Sequence, residues 1–395
     1  MIRAVLLDLD DTLLDNKMEV FLPAYFQKLG DYLSDLLNPS LMLSELLAGT
    51  QQMIGNMDPT LTLERVFAEY FYPAVGLQEG PLREHFEIFY RQIFPSLESL
   101  TEFRPKARPF VDEIALKGLD LAVATNPLFP YIAVEERLGW AGFDSPEDIF
   151  QVITTYEQFH FTKPHPEYYA EILGHLGIAP YKVVMIGDDP MRDLEPARTL
   201  GIGTFHLSED PEHPYDGGDF DAARLWIEQD QSNSLRENAK SPEAILARAR
   251  GYLGAMMTMM EAVDEDACSI APFEEEWSLG EIMCHLRDVE REVHLDRLER
   301  ILEEPNAHLV GEDTDAWAEI RQYICQPGME AFSAFVANRQ ELITKLEKLD
   351  AKEWERPARH TLLGPMKLNE VMAIANDHDT IHLAQLRKTL EALNR

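Results

Sequence analysis

The first 228 residues alternate short β-branched runs with helical stretches, and this alternation constrains the fold more than any other feature of the chain. The apolar runs are Ile2–Leu9, Leu119–Thr125, Val152–Thr155, Val183–Gly187 and Ile202–Phe205. Strands that alternate with helices form βα units, whose parallel sheet must be covered by helices on both faces. We therefore predict an α/β domain over residues 1–228.

A long helical insertion separates the first two predicted strands. About 100 residues there show no strand pattern, which is too long for a loop and typical of an inserted subdomain. We place this subdomain at residues 15–104 and predict helices around Val20–Leu37, Leu61–Phe71 and Pro81–Phe94. Four of its aromatic residues recur at helical spacing, which favours a packing role over substrate binding; they are Tyr25, Phe26, Tyr70 and Phe71.

The pattern changes after residues 229–240, which are nearly devoid of apolar side chains and are predicted to form a linker. From there on the periodicity is helical throughout. Ser241-Pro242 offers an N-cap with proline at the first helical position, and Ser278-Leu-Gly-Glu281 is a capping box. The helical segments predict an all-α four-helix bundle over residues 241–395; they are 242–263, 278–303, 329–349 and 368–393.

The charge balance restricts the class of partner. The chain carries 70 Asp and Glu against 35 Lys and Arg, a formal charge of −35. An acidic surface repels nucleic acid unless a basic patch outweighs it, and the sequence has no Lys- or Arg-rich run. We therefore expect small molecules and metals as partners, and no nucleic acid.

Cysteine usage and hydropathy indicate the compartment. Three cysteines without a CxxC pair fit a reducing cytosol. No stretch approaches the ~20 apolar residues of a membrane span. We therefore expect a soluble, cytoplasmic protein that does not interact with membranes.

Polar residues follow the predicted strands of the first domain. Asp8 and Asp10 end the first strand, Thr125-Asn126 ends the second, and Asp188 ends a later one. Lys163 lies at a loop-to-helix junction, and Asp193 lies one turn into the helix after Asp188. Ligands bind at the carboxyl ends of strands in open α/β sheets. Alone, Asp8 and Asp10 are equally typical of a strand-end turn, but the ordered set of carboxylate, hydroxyl, cation and carboxylate indicates one site.

These residues resemble the four motifs of the haloacid dehalogenase (HAD) superfamily over residues 1–228. Asp8 and Asp10 match the DxD motif, and Asp188 with Asp193 matches GDxxxxD. The resemblance implies a HAD-like parallel sheet with a C1-type helical cap and a phosphatase that acts on a small phosphomonoester. It implies Asp8 as the nucleophile that becomes an aspartyl phosphate and Asp10 as general acid, then base.

The same resemblance implies ligands for phosphate and Mg²⁺. Thr125 and Lys163 would hold the phosphoryl oxygens, and the amide of Asn126 offers a further donor. Asp8, the Asp10 carbonyl and Asp188 would bind Mg²⁺, with Asp193 as a direct or indirect ligand. The dehalogenases of the superfamily lack the second aspartate of the first motif, so Asp10 favours phosphoryl transfer over carbon–halogen cleavage. Asp189 could touch the metal through water or cap the helix that starts at Pro190.

Three histidines mark the predicted bundle. His285 falls on the apolar face of one helix, and His378 and His382 are stacked one turn apart on the last helix. A lone inward histidine is typically a hydrogen-bonded core residue, but three on two facing helices favour a metal site with an open coordination position. Glu281 and Gln385 could orient these ligands, although the capping box explains Glu281 equally well. Cys284 is predicted to be a packing residue.

This part resembles the DinB/YfiT-like bundles over residues 242–393. The matching residues are Trp277-Ser278, His285-Leu-Arg-Asp288 and His378-Asp-x-x-His382-Leu-Ala-Gln385. The resemblance implies a divalent metal, Zn²⁺, Ni²⁺ or Fe²⁺, and a transferase or isomerase that uses a low-molecular-weight thiol. It implies no nucleic-acid binding. As an alternative, the bundle is a non-catalytic ligand-binding module or the contact of a homodimer.

Overall fold

A computed structural model describes residues 1–208, 210, 214–228, 236–273 and 276–393. The chain divides into two compact units. The first takes Met1–Ile172 and resumes at Pro180, and the second takes Leu173–Ala179 and resumes at Arg236. The predicted linker lies partly outside the described residues. No helix within the described ranges is both long and apolar enough to cross a membrane.

The first unit is built on a six-stranded parallel sheet, as the alternating pattern predicts. Its central strand β1 is buried along its whole length. Leu7 at the end of β1 pairs with Val123 on one side and Ile186 on the other, so β4 ends level with β1 and β6 ends one residue later. In spatial order the strands are β5 (Val152–Ile153), β4 (Asp120–Val123), β1 (Ala4–Leu7), β6 (Val183–Gly187), β7 (Gly203–Leu207) and β8 (Gly217–Gly218).

Helices flank the sheet and form the inserted subdomain. A short antiparallel pair, β2 (Leu14–Asp15) with β3 (Glu102–Phe103), brackets the insertion. The insertion contains α1 (Met18–Leu33), α2 (Pro39–Ile54), α3 (Leu63–Val75) and α4 (Glu79–Gln92). The remaining helices of this unit are α5 (Ala107–Leu116), α6 (Tyr131–Trp140), α8 (Glu195–Thr199), α9 (Phe220–Ile227) and the part of α7 (Pro166–Leu176) up to Ile172.

Helix α2 is absent from the sequence prediction, although its start is encoded locally. The Asn38 side chain accepts hydrogen bonds from the backbone N–H groups of Ser40 and Leu41, and Pro39 occupies the first turn. The predicted packing role of the aromatic residues holds for Tyr25 and Phe71, which are buried in the core. Tyr70 is half-buried, and its hydroxyl donates to Glu45.

The second unit contains four long helical segments at the predicted positions. They are α10 (Pro242–Met260), α12 (Leu279–Val289) continued by α13 (Asp296–Glu303), α15 (Gly328–Leu346) and α17 (Leu368–Leu393). A π-helical turn, Glu290–Leu295, joins α12 to α13. The helical fold class is confirmed, and the short helices α11 (Glu265–Cys268), α14 (Trp317–Ile320) and α16 (Ala351–Trp354) connect the long ones.

The expectation of helix throughout this unit is wrong in one respect. A three-stranded sheet lies between the helices, with β9 (Ala307–Leu309) parallel to β10 (Pro357–His360) and β10 antiparallel to β11 (Gly364–Lys367). Its strands are too short for an alternating pattern to stand out. In addition, β9 and β10 are far apart in sequence, so only the tertiary fold pairs them.

Candidate active site and candidate metal centre

Asp8 lies just beyond the carboxyl end of β1 and is bound by the side chain of Lys163. The ammonium nitrogen of Lys163 donates to Asp8 Oδ1 at 2.6 Å and to Asp193 Oδ1 at 2.6 Å. All three residues are buried. Burial lowers the pKa of Lys163, but the carboxylates of Asp193 and Asp8 outweigh this effect and hold that pKa well above its ordinary value. The lysine is therefore a fixed positive charge between two carboxyl groups.

Asp188 completes an acidic cluster with Asp8 and Asp193. One carboxylate oxygen from each residue lies within 4.8 Å of the other two. Burial and the neighbouring Asp193 raise the pKa of Asp188 to about 7, so the cluster disfavours a third negative charge. With all three carboxyl groups ionised, the cluster and its ammonium carry two net negative charges, which a divalent cation would offset. Oxygen donors are the ligands that Mg²⁺ prefers, so this set fits Mg²⁺.

The turn after β6 shapes this cluster. Asp193 lies on a π-helical turn, Pro190–Leu194, a conformation that is frequent at functional sites. A Cβ atom at Gly187 would collide with the Asp193 carboxylate, so the glycine allows this close approach. Asp189 caps the turn, because its side chain accepts hydrogen bonds from the backbone N–H groups of Met191 and Arg192. These contacts support the capping interpretation of Asp189.

Asp10 lies outside the acidic trio and both of its carboxylate oxygens are bound by other side chains. Asn16 Nδ2 donates to Oδ1 at 2.7 Å, and Arg137 Nη1 donates to Oδ2 at 2.7 Å. Neither partner is predicted from the sequence. The position of Arg137 nevertheless indicates a buried partner. It lies on the buried face of α6 with Ala133 and Leu138, where a charged residue requires a partner.

Thr125 and Asn126 follow β4 and border the Lys163 loop. The Thr125 carbonyl accepts hydrogen bonds from the hydroxyl groups of Thr154 at 2.6 Å and Tyr168 at 2.7 Å. Asn126 Oδ1 accepts from the backbone N–H of Lys163 at 3.1 Å. The predicted donor Asn126 therefore also holds the loop that carries the lysine.

The second unit brings His285, His378 and His382 together. The Nε2 atom of His378 lies 3.1 Å from the Nε2 atoms of both His285 and His382. Nitrogens bound to one Zn²⁺ at about 2.0–2.1 Å lie about 2.9–3.4 Å apart, depending on the coordination angle. Both pairs that include His378 therefore have the spacing of ligands around one metal ion, and all three residues offer a ligand atom within 4.8 Å of the other two.

The protonation of these histidines also suits a metal. Burial and the neighbouring histidines lower the pKa of His285 to about 3, and burial and His378 lower that of His382 to about 4. Nδ1 of His382 donates to Gln385 Oε1 at 3.0 Å, which leaves the lone pair on Nε2. Neutral imidazoles with converging lone pairs are the form that binds a divalent cation.

The other predicted partners of this cluster have structural contacts. The Glu281 carboxylate bonds the backbone N–H and hydroxyl of Ser278, which completes the capping box. Cys284 is buried, and burial raises the pKa of its thiol to about 11, which keeps it protonated. The ring of Trp277 stacks on that of His382, with an interplanar angle of 1° and centroids 6.0 Å apart.

A buried charge network adjoins the three histidines and was not expected from the sequence. Arg339 donates to both carboxylate oxygens of Glu290, at 2.5 and 2.9 Å, and its Nη1 lies 2.8 Å from Asp379 Oδ2. Burial raises the pKa of Asp379, but Arg339 outweighs this effect and the net pKa is lowered. His294 Nδ1 contacts Glu290 at 2.8 Å, and the His294 ring packs edge-on against that of His378.

A cavity of about 570 Å³ borders Trp277 on the surface of this unit. Its wall is acidic, with Glu281, Asp315 and Glu319. The remaining lining residues are Ala316, Ala318, Gln322, Ile324 and Cys325.

Known proteins match each part of the chain separately. Residues 2–201 match the family model described as haloacid dehalogenase-like hydrolase, and residues 246–386 match that of the DinB superfamily. A phosphoserine phosphatase of Thermus thermophilus is 31% identical over 154 residues, which cover 38% of this chain and 57% of the relative. The chain thus spans somewhat over half the length of that curated relative.

Two solved structures are similar to portions of the chain. A HAD phosphatase from Thermococcus onnurineus is 20% identical and has a TM-score of 0.37, covering 57% of this chain and 96% of that one. YfiT from Bacillus subtilis, described as a four-helix bundle of unusual topology, is 14% identical and has a TM-score of 0.31. The match covers 50% of this chain and 98% of YfiT.

Proposed function

The chain belongs to the haloacid dehalogenase-like hydrolases, and from this premise we propose that its first unit is a Mg²⁺-dependent phosphatase that hydrolyses a small phosphomonoester through Asp8. One observation carries the proposal: a buried lysine bridges Asp8 and Asp193 beside Asp188. A carboxylate attacks a phosphate dianion only when cations offset the repulsion. Lys163 supplies one cation, and the acidic trio would hold the second.

The proposed reaction has two steps. An oxygen of Asp8 attacks phosphorus, the ester P–O bond breaks, and Asp10 gives its proton to the departing alcohol. Asp10 then takes a proton from water, which attacks phosphorus and breaks the bond to Asp8, so that inorganic phosphate leaves and Asp8 is restored. Bound Mg²⁺ would neutralise developing charge on the phosphoryl oxygens. Asp8, Asp188 and Asp193 would hold it, with the Asp10 carbonyl.

The neighbouring residues have supporting roles in this scheme. Lys163 and the hydroxyl of Thr125 would bind phosphoryl oxygens, with Asn126 as a further donor and as the support of the lysine loop. Asp189 has no role in the chemistry, because its carboxylate caps the following turn. It therefore provides a matched control for the other aspartates.

The test is phosphate release by the full-length protein from 4-nitrophenyl phosphate. O-phosphoserine is the first natural substrate to try, because the Thermus thermophilus relative bears that specificity in its name. We expect turnover that requires Mg²⁺ and disappears with EDTA. Asp8→Asn should remove it, whereas Asp189→Asn should retain it because asparagine also caps helices. Equal rates in wild type and Asp8→Asn would refute the proposal.

We also propose that the second unit binds one divalent ion through His285, His378 and His382. The convergence of three ring nitrogens, with burial lowering the pKa of His285 and of His382, favours this second function. Zn²⁺, Ni²⁺ and Fe²⁺ all suit an imidazole site, and three protein ligands would leave a position open for a substrate. A thiol-dependent transferase and a non-catalytic or dimerising module both stay predictions, because no contact of the described residues distinguishes them.

A further inference from the structure

Both oxygens of the Asp10 carboxylate are held by buried donors, and the stronger of the two is Arg137. Its Nη1 donates to Asp10 Oδ2 at 2.7 Å, and Asn16 holds the other oxygen at 2.7 Å. Arg137 is 1% exposed, although it is a charged residue. Its guanidinium carbon lies 4.9 Å from the centre of the Phe129 ring.

The remaining contacts of Arg137 are weak or absent. Its Nε donates to Ala133 O in its own helix at 3.3 Å. Its Nη2 is buried without a hydrogen-bond partner among the described residues. Asp10 is thus the carboxylate with which this buried cation is paired in the described part of the chain.

We propose that Arg137 is a positioning residue that fixes the Asp10 carboxyl group, protonated at a lone pair that neither Arg137 nor Asn16 occupies, for proton transfer to the leaving group. This inference rests on the proposed function, in which Asp10 protonates the departing alcohol. A general acid must lie within hydrogen-bond reach of the atom that it protonates, and a displacement of about 1 Å can cost about 10²-fold in rate. Arg137 and Asn16 together define the plane and the position of the carboxylate.

The ion pair between Arg137 and Asp10 also restricts the orientation of the Asp10 side chain. A buried guanidinium without a partner is unfavourable, so Arg137 opposes any rotation of the Asp10 side chain that would separate Oδ2 from the guanidinium. Rotation of the aspartate would break the bond to a charged donor and the bond to Asn16 at once. Asp10 is therefore held in one orientation before substrate binds.

A comparison of two substrates with different leaving groups tests this role without knowledge of the natural substrate. Phenyl phosphate and 4-nitrophenyl phosphate share a ring, but phenolate is the more basic leaving group and depends more on the proton from Asp10. The quantity kcat/KM reports on the steps up to and including departure of the leaving group. We expect Arg137→Gln to lower kcat/KM about 100-fold for phenyl phosphate and less than 10-fold for 4-nitrophenyl phosphate. Arg137→Lys should give an intermediate ratio, because it keeps the charge but loses the fork of donors.

A purely structural role predicts a different result. Loss of folded protein would lower both rates equally, and this equal fall, or no fall, would overturn the inference. Thermal unfolding of each variant reports the folded fraction. If Arg137→Gln does not fold, Arg137→Lys decides, and a substrate ratio equal to that of wild type contradicts the positioning role.

The same assays separate this inference from the proposed function. If wild type and Asp8→Asn hydrolyse both substrates equally, or wild type hydrolyses neither, the phosphatase proposal fails and the inference falls with it. If activity requires Asp8 but the Arg137 variants keep the wild-type substrate ratio, only the inference fails.

Discussion

The ammonium nitrogen of Lys163 lies 2.6 Å from Asp8 Oδ1, although 155 positions separate the two residues in the chain. Parallel pairing of β1 with β4 and of β4 with β5 brings the carboxyl ends of these strands to one edge of the sheet, where Asp8 follows β1 and the loop with Lys163 follows β5. The lysine also bonds Asp193 at 2.6 Å, so one cation serves two buried carboxyl groups.

Replacing Lys163 should disable the phosphatase. Lys163→Met removes the cation that would bind a phosphoryl oxygen and leaves Asp8 and Asp193 as unpaired neighbours. We expect kcat for 4-nitrophenyl phosphate to fall about 10²–10³-fold, the usual loss for one donor to a transition state. Lys182→Met is the matched control, because Lys182 packs on Tyr181 away from the acidic trio. Equal losses in the two variants would contradict the role of Lys163.

Replacing His378 should empty the histidine site. Its Nε2 is 3.1 Å from both other ligand nitrogens, so His378→Ala removes the member that links them. After dialysis against metal-free buffer, elemental analysis of the full chain should find about one Zn²⁺, Ni²⁺ or Fe²⁺ per wild-type chain and almost none in the variant. His308→Ala, at an exposed position of β9, should retain the ion. Retention by His378→Ala would argue against the site.

Replacing Arg339 should destabilise the second unit. Arg339→Met leaves Glu290 and Asp379 buried without their cation, and we expect the free energy of unfolding to fall by about 3–5 kcal/mol. Arg291→Met breaks an exposed pair with Glu341 and should cost less than about 1 kcal/mol. Urea unfolding followed by circular dichroism measures both. Similar losses for the two variants would mean that the buried network contributes little.

The sequence predicts the fold of the first unit well because local patterns determine it. Apolar runs define the strands, and the parallel pairing of the ends of β1, β4 and β6 places Asp8 and Asp188 near each other. Helix α2 was missed even though Asn38-Pro39 is a good helix start. The small sheet of the second unit was missed because β9 and β10 pair over a long sequence separation.

The partners of the site residues are harder to predict than the residues themselves. Helical periodicity is a local pattern, so spacing alone predicts that His285, His378 and His382 face the interior of the bundle. Arg137 reaches Asp10, and Arg339 reaches Asp379, only through tertiary packing of separate elements. No sequence spacing predicts such a contact. The sequence indicates only that a charged residue at a core position of a helix must have a partner.

The most direct test of the account is to trap the phosphorylated carboxylate. The full-length protein is mixed with Mg²⁺ and 4-nitrophenyl phosphate, quenched in acid during turnover and reduced with borohydride, which converts an aspartyl phosphate to homoserine. We predict that peptide mass analysis finds homoserine at position 8, and that neither Asp10 nor Asp189 is modified. Turnover with an unmodified Asp8, or modification of another residue in its place, would contradict the account.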